Sequence, residues 1–246
     1  MKTVKTLKRF LSVLLALIIV SVGLPGVCGA QAAFWKPASD AVRAGVNMPA
    51  ELIYVQSVDA VFMLETFDGN GESIRTGSGF FISASGFAVT NLHVIQSAAR
   101  AEITLDNGEV YPVRGVLAAS EEHNIAIISI DSDKSDWDFL TLADSDSIEA
   151  GNSVYAIGSP LGYVNTMTAG IISNTKRDVD GDALIQFTAP ISFGSGGSPL
   201  LNTLGQVVGI TSSSFSYGQN LNLAVPVNHV KSMKLGESVS LASFNR

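Results

Sequence analysis

Thr76-Gly77-Ser78-Gly79-Phe80-Phe81-Ile82-Ser83-Ala84-Ser85-Gly86-Phe87-Ala88-Val89-Thr90-Asn91-Leu92-His93-Val94-Ile95 holds two runs, 79–82 and 87–90, rich in aromatic and β-branched residues. Such side chains fit a pleated, half-buried surface, while the serines and Gly86 between the runs interrupt it. The segment therefore predicts strand, turn, strand, followed at once by a histidine.

The same style continues on both sides. Upstream, 61–67 is another strand-like run. Downstream, Ile103 and Leu105 alternate with Glu102, Thr104 and Asp106 before Asn107-Gly108, a dipeptide suited to the positive φ angles of a tight hairpin. Residues 125–130 form a largely apolar strand, and acidic 131–138 reads as part of a connection between two halves. The second half predicts strands at 154–157, 166–173, 183–188, 206–211 and 221–225, then a short helix at 228–235. Many short strands separated by Gly, Asn, Asp and Ser indicate an all-β barrel or sandwich. No fixed-period repeat is visible, which sets solenoids aside.

The strand-turn-strand unit ending in Thr90-Asn91-Leu92-His93-Val94 resembles the segment that carries the catalytic histidine in HtrA/Deg-type proteases of the trypsin-like serine protease superfamily. The likeness continues in order through Asn124-Ile125-Ala126-Ile127-Ile128, Leu142-Ala143-Asp144-Ser145, Gly151, and 154–162. It then runs through Thr168-Ala169-Gly170-Ile171-Ile172-Ser173, Ala189-Pro190-Ile191-Ser192, Pro199-Leu200-Leu201-Asn202 and Asn222-Leu223-Ala224-Val225-Pro226. It implies an all-β, chymotrypsin-like double six-stranded β-barrel with a short C-terminal helix and an active site in the cleft between barrels. On this reading the barrels span 53–135 and 146–227 of a protease domain at 53–246, and the PDZ domain that often follows in HtrA proteins is missing.

A serine hydroxyl becomes a nucleophile only when a histidine takes its proton and an acidic group fixes the histidine's tautomer. The resemblance gives His93 the base role. The family aspartate directly precedes the strand beginning at Ile125, and that place is Asn124, which hydrogen-bonds an imidazole without offsetting its charge. Glu121, Glu122 and Asp131 are the nearby carboxylates that could substitute. The family motif Gly-x-Ser-Gly-Gly-Pro meets Gly194-Ser195-Gly196-Gly197-Ser198-Pro199 here, and an ungapped count puts Gly196 at the serine position. Ser195 becomes the candidate nucleophile if the loop is shifted by one residue; the absence of any nucleophile stays open, and Ser198 is disfavoured by Pro199. Backbone N–H groups at Gly194 and Gly196 are the expected oxyanion donors. Thr211, Ser212, Ser213 and Asn222 resemble the wall of the substrate pocket, whose small side chains suit a small or medium apolar residue. Ala189 or Pro190 stands where enzymes cutting after Arg or Lys carry an aspartate, which disfavours that specificity.

His123, in a polar loop, and His229, at the terminal helix, read as solvated residues, and three scattered histidines give no zinc spacing. No metal and no cofactor are expected. Two readings of function follow: an exported serine endopeptidase acting through an acyl-enzyme on protein or peptide substrates, and a catalytically impaired pseudoprotease that binds peptides or protein partners in the cleft.

Composition and the N-terminus bound the rest. A chain of 246 residues, 46% of them hydrophobic, is long enough to bury a substantial core. Lys2, Lys5, Lys8 and Arg9 precede an apolar run at 10–24 and then small residues, the layout of a signal peptide over 1–32 with Ala30-Gln31-Ala32 at the cleavage site. The run is short for a membrane span, so membrane contact arises only if this segment is uncleaved and anchors the protein. Cys28, the only cysteine, lies within it after Val27, a poor setting for lipidation. Removing those four of the 15 basic residues leaves 11 against 22 acidic, a net charge of −11 that repels phosphate backbones and disfavours nucleic acid. Residues 33–52 read as a leader or linker.

Overall fold

The computed structural model describes residues 46–159, 162–163, 165–212 and 221–245. The signal-peptide and lipidation readings of the N-terminal segment, most of the leader, and Ser213 lie outside the described residues.

Twelve strands form two closed barrels among the described residues. The first contains β1 (Val61–Phe67), β2 (Ser73–Phe81), β3 (Phe87–Asn91), β4 (Arg100–Leu105), β5 (Val110–Ser120) and β6 (Ile125–Ile130), joined in the order β1-β2-β3-β6-β5-β4. The second contains β7 (Ser153–Gly158), β8 (Thr166–Val179), β9 (Asp182–Phe187), β10 (Pro199–Leu201), β11 (Val207–Ser212) and β12 (Asn222–Pro226), in the order β10-β11-β12-β9-β8-β7. All pairs are antiparallel, and closure leaves no sheet edge exposed. This is the all-β, chymotrypsin-like double barrel that the sequence resemblance implies. Helix α1 (Ala50–Ser57) precedes β1, the one-turn α2 (Leu92–Ile95) follows β3, and α3 (Asn228–Ser232) and α4 (Leu241–Phe244) close the chain.

Strand β6 explains the unbroken apolar run at 125–130. Its side chains alternate between two cores: Ile125 and Ile127 join a cluster shared by both barrels, while Ala126, Ile128 and Ile130 fill the first barrel. A strand buried on both faces has no polar side to display. The shared cluster brings Phe80 and Val89 together with Ile157, Leu201, Ile210 and Val225 from the second barrel. The second barrel's own interior holds Ile172, Ile185, Phe187, Leu200 and Val208.

The predicted turn at Asn107-Gly108 is present, with Gly108 at φ +82°. The acidic connection is more than a tether, because Trp137 within it is buried and stacks on Phe81 at 4.5 Å between ring centroids. The terminal helix ends three residues earlier than its sequence pattern predicts. Beyond it the chain turns back along β5, where Gly236 N–H donates to the Leu117 carbonyl and Val239 bridges Val116.

Candidate active site

β3 delivers His93 on the first turn after the strand, and Asn124 enters from the β5–β6 turn. Asn124 sits at φ +52°, a left-handed conformation that asparagine tolerates better than most residues. Its carbonyl accepts from the Leu92 N–H at 3.0 Å and from Asn91 Nδ2 at 3.2 Å, so backbone and side chain together lock the helical turn carrying the histidine.

The contact between the two side chains decides the chemistry of the ring. Asn124 Oδ1 accepts the His93 backbone N–H at 2.9 Å, which orients the amide. Asn124 Nδ2 is then 2.9 Å from His93 Nδ1, with Oδ1 farther from that nitrogen at 3.2 Å. Nδ1 therefore has both an amide donor and an amide acceptor within reach, and the tautomer of the ring decides which of them it bonds. A triad needs the proton on Nδ1 and the free electron pair on Nε2 facing the nucleophile; that tautomer donates to Asn124 Oδ1, which carries no charge to stabilise an imidazolium. Burial holds the half-buried imidazole below the ordinary histidine range; the Asn124 hydrogen bond opposes this, and the nearby Arg75 cation reinforces it. None of the carboxylates that could have replaced the aspartate reaches the ring. Asp131 pairs with Arg114, and Glu122 lies 3.9 Å from His123.

The loop that follows β9 packs beneath this histidine. Ser78 Oγ donates to the Gly194 carbonyl at 2.7 Å, and the Ser78 N–H donates to the Gly196 carbonyl at 2.8 Å. The same Ser78 Oγ accepts from the Ser159 N–H at 2.9 Å, so one buried hydroxyl ties β2 to the loop and to the second barrel. Gly197, at φ +89°, could carry no side chain: a Cβ there would lie 2.2 Å from the Ser78 carbonyl oxygen. Sequence reasoning passed over Ser78, although a small polar residue between two glycines in a strand was a signal of close backbone approach.

Ser195, 5% exposed, turns its Oγ toward the Ser192 N–H at 3.3 Å, and its own N–H donates to the Ser192 carbonyl at 2.9 Å. Thr211 Oγ1 donates to the Ser195 carbonyl at 2.7 Å and holds the loop on β11. Ser198 Oγ is buried and lies against Gly158, where a Cβ would come within 1.9 Å of it. Among the described residues His93 and Asn124 are therefore brought together, while no serine hydroxyl is hydrogen-bonded to the His93 ring. The N–H groups of Gly194 and Gly196 donate to no described backbone carbonyl. Of the pocket residues read from sequence, Thr211 and Ser212 are buried in β11, and buried Asn222 donates to the Ala189 carbonyl at 2.8 Å.

A cleft of about 540 Å³ opens beside His93, lined by 73–76 of β2, Val94, Phe193 and Gly194. Phe193 is 83% exposed there.

Residues 77–210 match the family model of the trypsin-like peptidase domain. The chain belongs to the trypsin-like peptidase family. Its relatives within that family are of HtrA/DegP type. It is 37% identical over 144 residues to a "Probable periplasmic serine endoprotease DegP-like" of Chlamydia trachomatis, covering 57% of this chain and 28% of the relative. A protein of the same description from Halomonas elongata is 34% identical over 167 residues, 65% of this chain and 35% of the relative. The chain thus spans about a third or less of these relatives. The solved structure of the HtrA-type protease AlgW with a tripeptide superposes with a TM-score of 0.66 at 31% identity, covering 74% of this chain and 61% of that one. The relatives are named as serine endoproteases, and the matched region of this chain includes His93, Asn124 and 194–198.

Outside the cleft, His123 and His229, read from the sequence as solvated residues, meet each other. Their rings stack at 3.6 Å between centroids, tilted by 33°. Both are partly buried.

Proposed function

We propose that this trypsin-like peptidase acts outside the cytoplasm, as its periplasmic relatives are named to do, and holds extended segments of other proteins in the cleft beside His93 with its hydrolytic power strongly reduced. One observation carries this reading: among the described residues the hydrogen-bond partner of the His93 ring is the uncharged Asn124 amide, and neither a carboxylate nor a serine hydroxyl is hydrogen-bonded to that ring. Gly196, at the family's serine position, adds no hydroxyl. The net negative charge favours protein partners over nucleic acid.

The mechanism that remains is one of binding. Exposed Phe193 and Ile74 offer apolar contact at the cleft, and Arg75 offers a cation. The Gly194 and Gly196 N–H groups, which donate to no backbone carbonyl among the described residues, suit a peptide carbonyl. Those two donors also support the second reading, endopeptidase activity with Ser195 as nucleophile: on a loop register shifted by one residue, Gly194 and Gly196 would serve as the oxyanion donors. Thr211, Ser212 and Asn222 then border the pocket for the residue before the cut.

Labelling with a fluorophosphonate probe, alongside binding of a fluorescent, reduced and carboxymethylated polypeptide, tests both. Polypeptide binding without labelling supports the first reading. Labelling that disappears in Ser195→Ala and His93→Ala establishes the second, and neither binding nor labelling by folded protein removes both.

A further inference from the structure

We propose that Glu122, His123 and Asp182 form a binding site for a divalent transition-metal ion, zinc being the ion that the donor set fits best. One ligand atom from each of the three residues lies within 4.8 Å of the other two. The donor set is an imidazole and two carboxylates, hard and borderline donors that together bring two negative charges to a dication.

The three residues come from different parts of the fold. Glu122 and His123 belong to the turn between β5 and β6 of the first barrel, whereas Asp182 opens β9 at the β8–β9 hairpin of the second. His123 Nε2 and Glu122 Oε1 are 3.9 Å apart, too far for a hydrogen bond yet close enough for one ion to span. Zinc binds imidazole nitrogen and carboxylate oxygen at about 2.0–2.2 Å, so tetrahedral donors stand roughly 3.3–3.6 Å apart. Glu122 is exposed, so its side chain is free to rotate and shorten that separation when an ion binds.

The His229 ring lies over His123 as an orienting wall, since its own nitrogens fall outside the three-residue group. Stacking fixes the plane of His123 in the way that neighbouring groups commonly orient a metal-bound imidazole. An ion here joins the two barrels at a point next to Asn124, the partner of His93. This inference is independent of whether the cleft hydrolyses or only binds.

Titration of the tag-free full chain with zinc chloride by calorimetry, after treatment with chelator, tests it. One equivalent should bind saturably, and affinity should fall at least tenfold in His123→Ala and in Asp182→Asn while His93→Ala leaves it unchanged. Cobalt(II) should give visible absorption in wild type that both ligand variants lose. Circular dichroism establishes that each variant is folded. No saturable binding to wild type, binding undiminished in folded His123→Ala and Asp182→Asn, or binding lost in His93→Ala would each overturn the proposal.

Discussion

Asn124 grips His93 twice: its Oδ1 accepts the His93 main-chain N–H at 2.9 Å, and its Nδ2 lies 2.9 Å from the ring Nδ1. The first bond holds the amide against the ring, and neither contact brings a negative charge to the imidazole. Replacing the amide by a carboxylate in Asn124→Asp preserves the first bond and leaves Nδ1 facing acceptors alone, because a carboxylate only accepts. The His93 pKa should rise, since a negative charge then faces the imidazolium. NMR titration of the histidine ring protons checks this; an unmoved His93 titration would contradict the assigned contact.

On the proposed reading, full hydrolytic power needs a hydroxyl as well as a carboxylate beside the ring. Gly196 is absent from the residues of positive φ that include Gly194 and Gly197, so serine fits its backbone without strain. Gly196→Ser combined with Asn124→Asp should label with fluorophosphonate far faster than wild type. The Asn124→Asp component alone should account for ~10⁴-fold, the scale of the corresponding aspartate effect in serine proteases. A double variant as inert as wild type would show that the loop, and not the two side chains, blocks turnover.

Ser78 is predicted to matter for stability more than for chemistry. Ser78→Ala strands both the Gly194 carbonyl and the Ser159 N–H in a buried setting. Each lost partner costs on the order of 1–3 kcal/mol. Urea unfolding should report a lower midpoint with unchanged slope.

Two glycines with nearly the same φ should respond differently to alanine. At Gly108, φ +82° in open space, the substitution costs about 1–2 kcal/mol of backbone strain alone. At Gly197 the Ser78 carbonyl adds a steric clash, so the cost should exceed about 3 kcal/mol. Equal midpoint shifts in urea would contradict this difference.

Acid should destabilise the fold partly through His93. Burial lowers its pKa in the folded state, so the unfolded chain takes up the proton first. The contribution is fully present above the ordinary histidine value of about 6.5 and is lost as pH falls through the folded value. Urea midpoints measured at pH 7.5 and pH 5.5 should differ less in His93→Gln than in wild type.

Much of this was legible in the chain itself. Strands such as β3 and β6 announce themselves because β-branched runs buried on both faces leave a continuous apolar signal. β5, with Pro112 and Gly115 and an uneven burial pattern, carried no such signal; register shifts near Gly115 and Ala118 break its alternation. The three-residue β10 is too short for any period to register, and the exposed start of β2 is a strand only because β1 pairs with it.

For the candidate site the division is sharper. The residue types at 124 and 196 were enough to show where the chain departs from the family pattern, with Asn at the acid place and Gly at the ungapped serine place, because those are matters of order along the chain. That the Asn124 amide lies against His93 Nδ1, where the Ser195 hydroxyl turns, and that His123 and His229 touch were decided only by tertiary structure. Each depends on segments distant in sequence meeting within hydrogen-bonding or stacking distance, and barrel closure is what sets those distances.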